Sequence, residues 1–281
     1  MKKSILFFCV LIAASTVINA QSTKQCCQAP SATAAFASLG NDANFRNAHG
    51  APGIISFAEK GKMISFPTPD GKNGTAYFVA AANKSSNYLV VFHEWWGLNE
   101  FIKRQSELYA DSLKNVNVIA VDLYEGQVAT DADAATKLMQ AVNEKRAVDI
   151  VKGALMYAGK NSKIATIGWC FGGGWSMQGA LLAGNQLKGC VMYYGMPETD
   201  LNKLKTLGSD VLFIWAKKDQ WINEKVKDDF VKNMQAAGKK LTVKEYDDDH
   251  AFANPSNPHY DKEATADAQK ISLNYLRGAF K

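Results

Sequence analysis

Apolar and polar positions along this chain follow two alternating periods. Short, nearly continuous apolar runs rich in β-branched residues predict buried strands, and longer stretches with apolar residues every three or four positions predict helices. The predicted strands cover residues 88–92, 116–121, 163–167, 189–194, 211–215 and 241–246. The predicted helices cover residues 101–113, 132–157, 173–183, 223–237 and 264–280. Such an alternation predicts a parallel sheet with helices on both faces.

Turn residues predict an antiparallel hairpin ahead of the alternating part. A strand-like run over 62–67 is followed by Pro69-Asp70-Gly71 and Asn73-Gly74, and a second run covers 75–82. A hairpin that leads into a mostly parallel sheet of about eight strands resembles the plan of the α/β-hydrolase fold. We expect this α/β fold to form one domain over residues 61–281.

The first sixty residues lack this pattern. Lys2 and Lys3 precede an apolar core over 5–12 that is too short to span a bilayer, and Ala20 offers a cleavage site, which is typical of a secretory signal. A retained N-terminal anchor is the alternative. Residues 21–60 are interpreted as a tail or short helical arm, with His49 as a loop histidine without a role. We expect a periplasmic or secreted protein with no membrane span in the mature chain.

Charge and cysteine usage narrow the functional classes. The net charge of +5 is spread over helices beside acidic residues, so the chain lacks the basic patch of a nucleic-acid-binding protein. In an oxidising compartment the five cysteines must be accounted for. Cys9 leaves with the signal, Cys26 and Cys27 fall in the tail, and Cys190 lies in an apolar run typical of a core. No pair suggests a structural disulfide, which leaves Cys170.

Cys170 stands in the sequence Gly168-Trp169-Cys170-Phe171-Gly172, between a predicted strand and a predicted helix. Strand, G-x-nucleophile-x-G and helix is the context of a nucleophile elbow, here with cysteine in place of serine. Small residues two positions to either side let the strand and the helix approach closely. The helix start places free N–H groups beside the sulfur, which favours thiolate over thiol. A buried cysteine in a glycine-rich turn is the alternative.

An acid and a histidine follow the cysteine in the chain order of this fold. Asp219 comes after the predicted strand 211–215, and His250 comes after 241–246. Both lie just beyond the carboxyl ends of strands, where open α/β sheets place their sites. A thiol needs a base, and the base needs an orienting carboxylate. A solvated loop at Asp219 and a polar turn or weak cation site at 247–249 are the alternatives. The remaining histidines are scattered, so we predict no metal site.

The loop after the first core strand reads His93-Glu94-Trp95-Trp96-Gly97. In this fold that loop supplies the second N–H of the oxyanion hole. We therefore predict that the backbone N–H groups of Trp95 and Phe171 form the hole. A helix-capping role for Glu94 and a core role for the two tryptophans are the alternatives, and His93 is interpreted as a strand-end histidine.

Together these segments resemble the signature sequences of the dienelactone hydrolase family. The resemblance runs from about Gly61 to the C-terminus and rests on His93-Glu94-Trp95-Trp96-Gly97, Asp122-Leu123-Tyr124, Gly168-Trp169-Cys170-Phe171-Gly172-Gly173, Lys218-Asp219 and Asp249-His250-Ala251-Phe252. It implies that Cys170, Asp219 and His250 form the triad. It also implies that Glu94 is the carboxylate that interacts with the resting thiol and is displaced when substrate binds.

The chain departs from that family at two places. The family carries one arginine shortly after Asp-Leu-Tyr and another after His-x-Phe-Ala, which hold the substrate carboxylate, whereas this chain has neither arginine at 125–127 or 254–256. A bidentate carboxylate clamp is hard to replace. We therefore expect a substrate other than dienelactone. Trp96 and Tyr124 are the predicted substrate-binding residues, and an aromatic mouth fits a neutral or apolar ester.

The sequence thus predicts an exported hydrolase that cleaves a small ester or lactone through an acyl-enzyme on Cys170, without a cofactor or metal. Two other classes remain open. One is a ligand-binding protein on a hydrolase scaffold, because a fold does not fix an activity. The other is a redox-active thiol protein in which Cys26 or Cys27 resolves oxidised Cys170.

Overall fold

The computed structural model describes residues 31–53 and 56–281. The predicted signal over 1–20 and the Cys26-Cys27 pair lie outside these residues. One eight-stranded sheet organises the described chain, in the order β1-β2-β4-β3-β5-β6-β7-β8. Its strands are β1 (Lys62–Pro67), β2 (Asn73–Val79), β3 (Asn87–Phe92), β4 (Asn117–Val121), β5 (Lys163–Trp169), β6 (Leu187–Tyr193), β7 (Val211–Ala216) and β8 (Leu241–Tyr246).

The sheet changes from antiparallel to parallel at β4. The β1 strand pairs antiparallel with β2, and β2 pairs antiparallel with β4. From β4 onward each neighbouring pair is parallel, with β5 held between β3 and β6. This arrangement confirms the predicted α/β-hydrolase fold with its N-terminal hairpin.

Nine α-helices surround the sheet within the described ranges. They are α1 (Ala32–Ser38), α2 (Ala43–Asn47), α3 (Glu100–Leu113), α4 (Ala132–Ala141), α5 (Glu144–Ala158), α6 (Phe171–Ala183), α7 (Leu201–Leu204), α8 (Glu224–Ala236) and α9 (Lys262–Ala279). Helices α3 and α9 contact each other and the sheet, and so do α5 and α6. The strands between these pairs are buried on both faces, as β4 and β7 are along their whole length, which explains their continuous apolar sequences. None of the described helices combines the length and the apolar character that crossing a membrane requires.

The single helix predicted over 132–157 is wrong, because the structure has two helices there. Helix α4 ends at Ala141, and the next residue, Val142, is extended with a ψ of 115°. Asn143 then caps α5, and its side chain accepts a hydrogen bond from the N–H of Arg146 at 3.0 Å. A polar cap satisfies an N–H group that would otherwise lack a partner at a helix start. The Asn-Glu sequence at 143–144 carried this signal.

The segment 31–53, here called the arm, folds back over the hydrolase domain. Its helices α1 and α2 contact α4, and α1 also contacts α6. Asp42 caps α2 and accepts a hydrogen bond from the indole N–H of Trp221 at 2.9 Å. Phe36 and Phe45 are fully buried. The arm is therefore held by apolar burial and by polar contacts at its helix ends.

The crossing of β5, α6 and β3 is the tightest backbone contact in this part of the fold. A Cβ atom at Gly168 would overlap the carbonyl oxygen of Gly172, and a Cβ atom at Gly172 would overlap the carbonyl oxygens of Phe92 and His93. These obstacles are main-chain atoms, which cannot rotate away as a side chain can. Glycine at both positions is therefore required by space, and it lets the helix begin immediately after the strand.

Replacing Gly172 with alanine should lower the free energy of unfolding by about 3 kcal/mol, the upper end of the usual cost of overpacking, because the new methyl group meets backbone. Gly278→Ala is the matched control, since Gly278 also lies in a helix but a Cβ there meets nothing within 4 Å. That control should be neutral or stabilising by up to about 1 kcal/mol. Urea unfolding of both variants measures the difference. Equal stability of the two variants would contradict the proposed crowding.

Candidate active site

Cys170 lies at the turn between β5 and α6, in a backbone conformation that side chains rarely adopt. Its φ and ψ are 58° and −121°. A non-glycine residue there stores strain of about 1–3 kcal/mol, which the surrounding packing must offset. Because β5 lies between β3 and β6, the turn stands at the centre of the sheet edge. The side chain is nevertheless enclosed, with 1% of the residue exposed.

Two backbone N–H groups converge on the Cys170 sulfur. The N–H of Phe171 comes from the start of α6 and that of Trp95 from the loop after β3, and both hydrogen bonds lower the pKa of the thiol. Burial has the larger effect and raises that pKa well above its usual value, with the negative charges of Glu94 and Asp219 acting in the same direction. The expected effect of the helix start is present, because the N–H of Phe171 lowers the thiol pKa, but burial outweighs it and the resting group is a thiol. Both predicted oxyanion donors thus act on the Cys170 sulfur in the resting state.

His250 and Asp219 form a buried pair beside the thiol. The Nδ1 atom of His250 lies 2.5 Å from Oδ2 of Asp219. Oδ1 of Asp219 accepts hydrogen bonds from the N–H groups of Trp221 and Ile222, both at 2.9 Å, so the carboxylate is fixed from both sides. The Nε2 atom of His250 has no hydrogen-bond partner among the described residues. A ring nitrogen of His250 and the Cys170 sulfur lie within 4.8 Å of each other. The structure thus brings together the three predicted triad residues.

Glu94 is buried beside the thiol and carries one hydrogen bond from the loop after His250. The side-chain amide of Asn254 donates to Oε2 of Glu94 at 2.6 Å. Burial raises the pKa of Glu94 to about 8, although the bond from Asn254 acts in the opposite direction. At neutral pH the carboxyl group is therefore mostly protonated, and its charge appears only in mildly alkaline solution.

Trp96 and Tyr124, the residues predicted to bind substrate, are packed among the aromatic side chains around the site. Tyr124 donates its hydroxyl to the carbonyl of Trp95 at 3.1 Å, and its ring centroid is 5.9 Å from that of Phe171. Trp96 packs against Trp95 with centroids 4.8 Å apart. Both residues are buried. Of these two residues, Tyr124 contacts the nucleophile turn, because its ring packs against the ring of Phe171.

His93 has both ring nitrogens engaged by backbone, in keeping with a strand-end role. Its Nδ1 atom lies 2.6 Å from the carbonyl oxygen of Glu94, and its Nε2 atom accepts a hydrogen bond from the N–H of Leu123 at 3.1 Å. A ring with both positions occupied and no solvent exposure is a structural element. The histidine therefore joins the loop after β3 to the loop after β4.

His49 lies beside the triad, a position that the sequence did not reveal. It stands in the bend after α2, which agrees with its interpretation as a loop histidine. The arm buries it beside the triad, with ring centroids 5.3 Å from His250 and 4.8 Å from Trp95. Its Nδ1 atom lies 2.6 Å from the carbonyl oxygen of Phe45. Burial and the neighbouring His250 lower the pKa of His49 to about 3, so the ring is neutral. Because His49 follows the end of α2, no helical spacing in the sequence marked its position beside the triad.

The arm forms the roof of the site. Phe45 packs against Trp95, Trp221 and His250 with centroids 5.2, 5.1 and 5.9 Å away, and Phe36 lies 6.2 Å from His250. Beside this roof, a cavity of about 270 Å³ lies between α1, α4 and α6, and Phe171 contributes to its wall. The site is thus dry, with a small pocket next to the nucleophile turn.

Comparisons with known proteins agree with this architecture. Residues 75–280 match the model of the dienelactone hydrolase family. Protein usf of Aquifex pyrophilus is 28% identical over 77% of this chain and 98% of its own length. Carboxymethylenebutenolidase 1 of Cupriavidus pinatubonensis is 25% identical over 76% of this chain and 95% of its own length.

A solved structure extends the likeness to the fold. A dienelactone hydrolase-like promiscuous phosphotriesterase from metagenomic libraries has a TM-score of 0.67 at 22% identity, with 79% of this chain and 99% of that chain covered. The family match spans most of the described chain, from β2 to the end of α9. The chain therefore belongs to the dienelactone hydrolase family and is a hydrolase of the carboxylic ester and lactone class.

Proposed function

We propose that this protein is an exported hydrolase that cleaves a small, uncharged ester or lactone through a cysteine acyl-enzyme. The observation that carries the proposal is the convergence on Cys170 of two backbone N–H donors and of a histidine whose other nitrogen is held by a buried carboxylate. A nucleophile, an oriented base and an oxyanion hole are the parts that acyl transfer requires.

The proposed reaction begins with exchange at the oxyanion hole. The substrate carbonyl oxygen takes the place of the sulfur at the N–H groups of Trp95 and Phe171, and the thiol turns toward His250. His250 accepts the thiol proton at Nε2 while the sulfur bonds to the carbonyl carbon. The tetrahedral intermediate collapses, and His250 gives the proton to the departing alkoxide. Water then attacks the thioester with His250 as base, which releases the acid and restores the thiol.

Glu94 adds to the effect of burial in keeping the resting thiol inert. A neutral carboxyl group in a dry site leaves the thiol protonated, and above pH 8 the ionised carboxylate opposes thiolate formation by like-charge repulsion. A protonated thiol resists oxidation because the thiolate is the reactive form. This protection suits a protein that carries a secretory signal over residues 1–20 and works in an oxidising compartment.

The charged groups near the site favour an uncharged substrate. Asn254, at one place where the family carries an arginine, points to Glu94 and is occupied there. Glu125, at the other place, binds Arg146 at 2.7 Å, and Arg146 also contacts Asp70 at 3.1 Å. This arginine is therefore committed to two carboxylates, so it is not free to clamp a third. The cavity of about 270 Å³ beside Phe171 fits a small apolar acyl or alcohol group.

Removing the nucleophile should abolish hydrolysis. We expect Cys170→Ala to lower kcat/KM for a panel of activated esters and lactones by at least about 10³-fold, because the acyl-enzyme cannot form. Cys190→Ala is the matched control, since Cys190 is a second buried cysteine. It lies on β6, where its sulfur is 3.6 Å from the hydroxyl of Ser176 on α6. That variant should keep most of the activity. Hydrolysis by Cys170→Ala at the wild-type rate would dismiss the cysteine mechanism.

Replacing Glu94 with glutamine should make Cys170 react faster with iodoacetamide, and the ratio of variant to wild-type rates should rise with pH. The reason is that Glu94 ionises at about pH 8, so its repulsion of the thiolate exists above that pH and is lost below it. The alkylation rate measured from pH 6 to 10 tests this.

Glu107→Gln serves as the control for removal of a buried carboxylate, because Glu107 lies on α3 and binds Tyr77. Its alkylation profile should match the wild type. A Glu94→Gln profile that also matches the wild type at every pH would rule out the shielding role.

A further inference from the structure

Three buried side chains from distant parts of the chain bring ligand-type atoms to one point. Ring nitrogens of His49 and His250 and the sulfur of Cys170 all lie within 4.8 Å of one another. His49 comes from the arm, Cys170 from the nucleophile turn and His250 from the loop after β8. Two imidazoles and a thiol are the side chains that bind zinc most readily.

Both imidazoles are already oriented as metal ligands usually are. The Nδ1 atom of His250 is held by the Asp219 carboxylate and that of His49 by the carbonyl oxygen of Phe45. With the proton on Nδ1 in each ring, the lone pair remains on Nε2. A carboxylate or a backbone carbonyl behind a histidine is the arrangement that fixes the tautomer of a metal-bound ring and raises its basicity.

The proposed triad gives no role to the Nε2 atom of His49. Acyl transfer needs one base, and His250 supplies it. Yet Nε2 of His49 is also buried without a hydrogen-bond partner among the described residues. Leaving a buried polar atom unpaired costs about 1–3 kcal/mol. A second buried imidazole with an unpartnered nitrogen in the same cluster therefore calls for a partner that accepts its lone pair.

The charges of the site fit a divalent cation. Binding of Zn²⁺ displaces the thiol proton, so the metal would be balanced by one thiolate and by the Asp219 carboxylate behind His250. The three ligand atoms need to close by about 1 Å to reach zinc bond lengths of about 2.0–2.3 Å, and a water molecule or small anion would take the fourth position.

We propose that His49, Cys170 and His250 form a zinc site that holds the hydrolase in an inactive, closed state. The metal would use the sulfur needed for attack and the nitrogen needed as base, so zinc binding and hydrolysis exclude each other. It would also join the arm to the hydrolase domain and keep the roof closed. The inhibitory part rests on the proposed function, whereas the metal site itself does not.

Direct metal titration tests the site. The full chain, purified without a polyhistidine tag, is titrated with Co²⁺ as a spectroscopic probe and then with Zn²⁺ in competition. Both titrations are carried out in a Cys26→Ser, Cys27→Ser background, which removes two thiols that are adjacent in the sequence and lie outside the described residues. We expect one metal ion per chain, a thiolate-to-cobalt charge-transfer band in the near ultraviolet and visible bands of tetrahedral intensity.

Variants assign the ligands. Cys170→Ser should abolish the charge-transfer band. His49→Ala should weaken zinc binding by more than about 10–100-fold, which is the loss caused by removing a residue that only hydrogen-bonds to a metal ligand. His259→Ala is the matched control, because this half-exposed histidine lies 3.5 Å from Asp249 and outside the cluster. It should bind zinc like the wild type. His49→Gln repeats the test if the alanine variant does not fold.

Two further readouts separate binding from catalysis. Zinc should protect Cys170 from iodoacetamide and suppress ester hydrolysis over the same concentration range, and a chelator should reverse both effects. Absence of the charge-transfer band, or unchanged zinc affinity in both His49 variants, would overturn the zinc site. Hydrolysis that zinc stimulates would overturn the inhibitory role. A bound metal in a protein without esterase activity would leave the site standing and refute only the proposed function.

Discussion

The close crossing of β5 and α6 against β3 is the constraint on which the site depends. Gly168 and Gly172 allow main chain to touch main chain, and the turn between them forces Cys170 into a positive φ. This geometry places the sulfur where N–H groups from two separate segments converge. A looser crossing would move the sulfur away from the donors of Trp95 and Phe171. Backbone packing therefore determines where the nucleophile lies relative to the N–H donors.

Exclusion of water governs the electrostatics of the site. The N–H groups at the helix start favour a thiolate, but burial outweighs them and keeps the thiol protonated. The same burial neutralises Glu94 and His49. The oxygens of Asp219 are occupied by two backbone N–H groups and by His250, so this carboxyl group is fixed in position as the partner that orients the histidine.

Much of this could be read from the sequence, because periodic patterns report on regular structure. The continuous apolar runs located the parallel strands, and the order of cysteine, acid and histidine along the chain located the residues that the sheet edge brings together. The break at Val142 was missed because a long amphipathic pattern continues through it, and a single capping asparagine ends it.

The surroundings of His49 could not be predicted in the same way. Its proximity to His250 depends on how the two short helices α1 and α2 pack, and that packing follows from the burial of Phe36 and Phe45. The pattern of apolar residues in the sequence does not predict this burial. The relative size of the two opposing effects on the Cys170 pKa could not be predicted for a related reason. Local sequence reveals the helix start beside the sulfur, whereas the desolvation that outweighs it depends on how the folded chain encloses the thiol.

The roof over the triad has a kinetic consequence. Phe45 and Asp42 tie the arm to Trp221, and Ala48 accepts a hydrogen bond from Asn257. If substrate enters beneath the arm, these contacts must separate before it reaches the enclosed sulfur. Admission of substrate then resembles local unfolding rather than free diffusion into a cleft. The fraction of molecules with the arm released scales the apparent affinity for every substrate alike. Changes in arm stability would therefore tune turnover at low substrate concentration without altering any group that takes part in the chemistry.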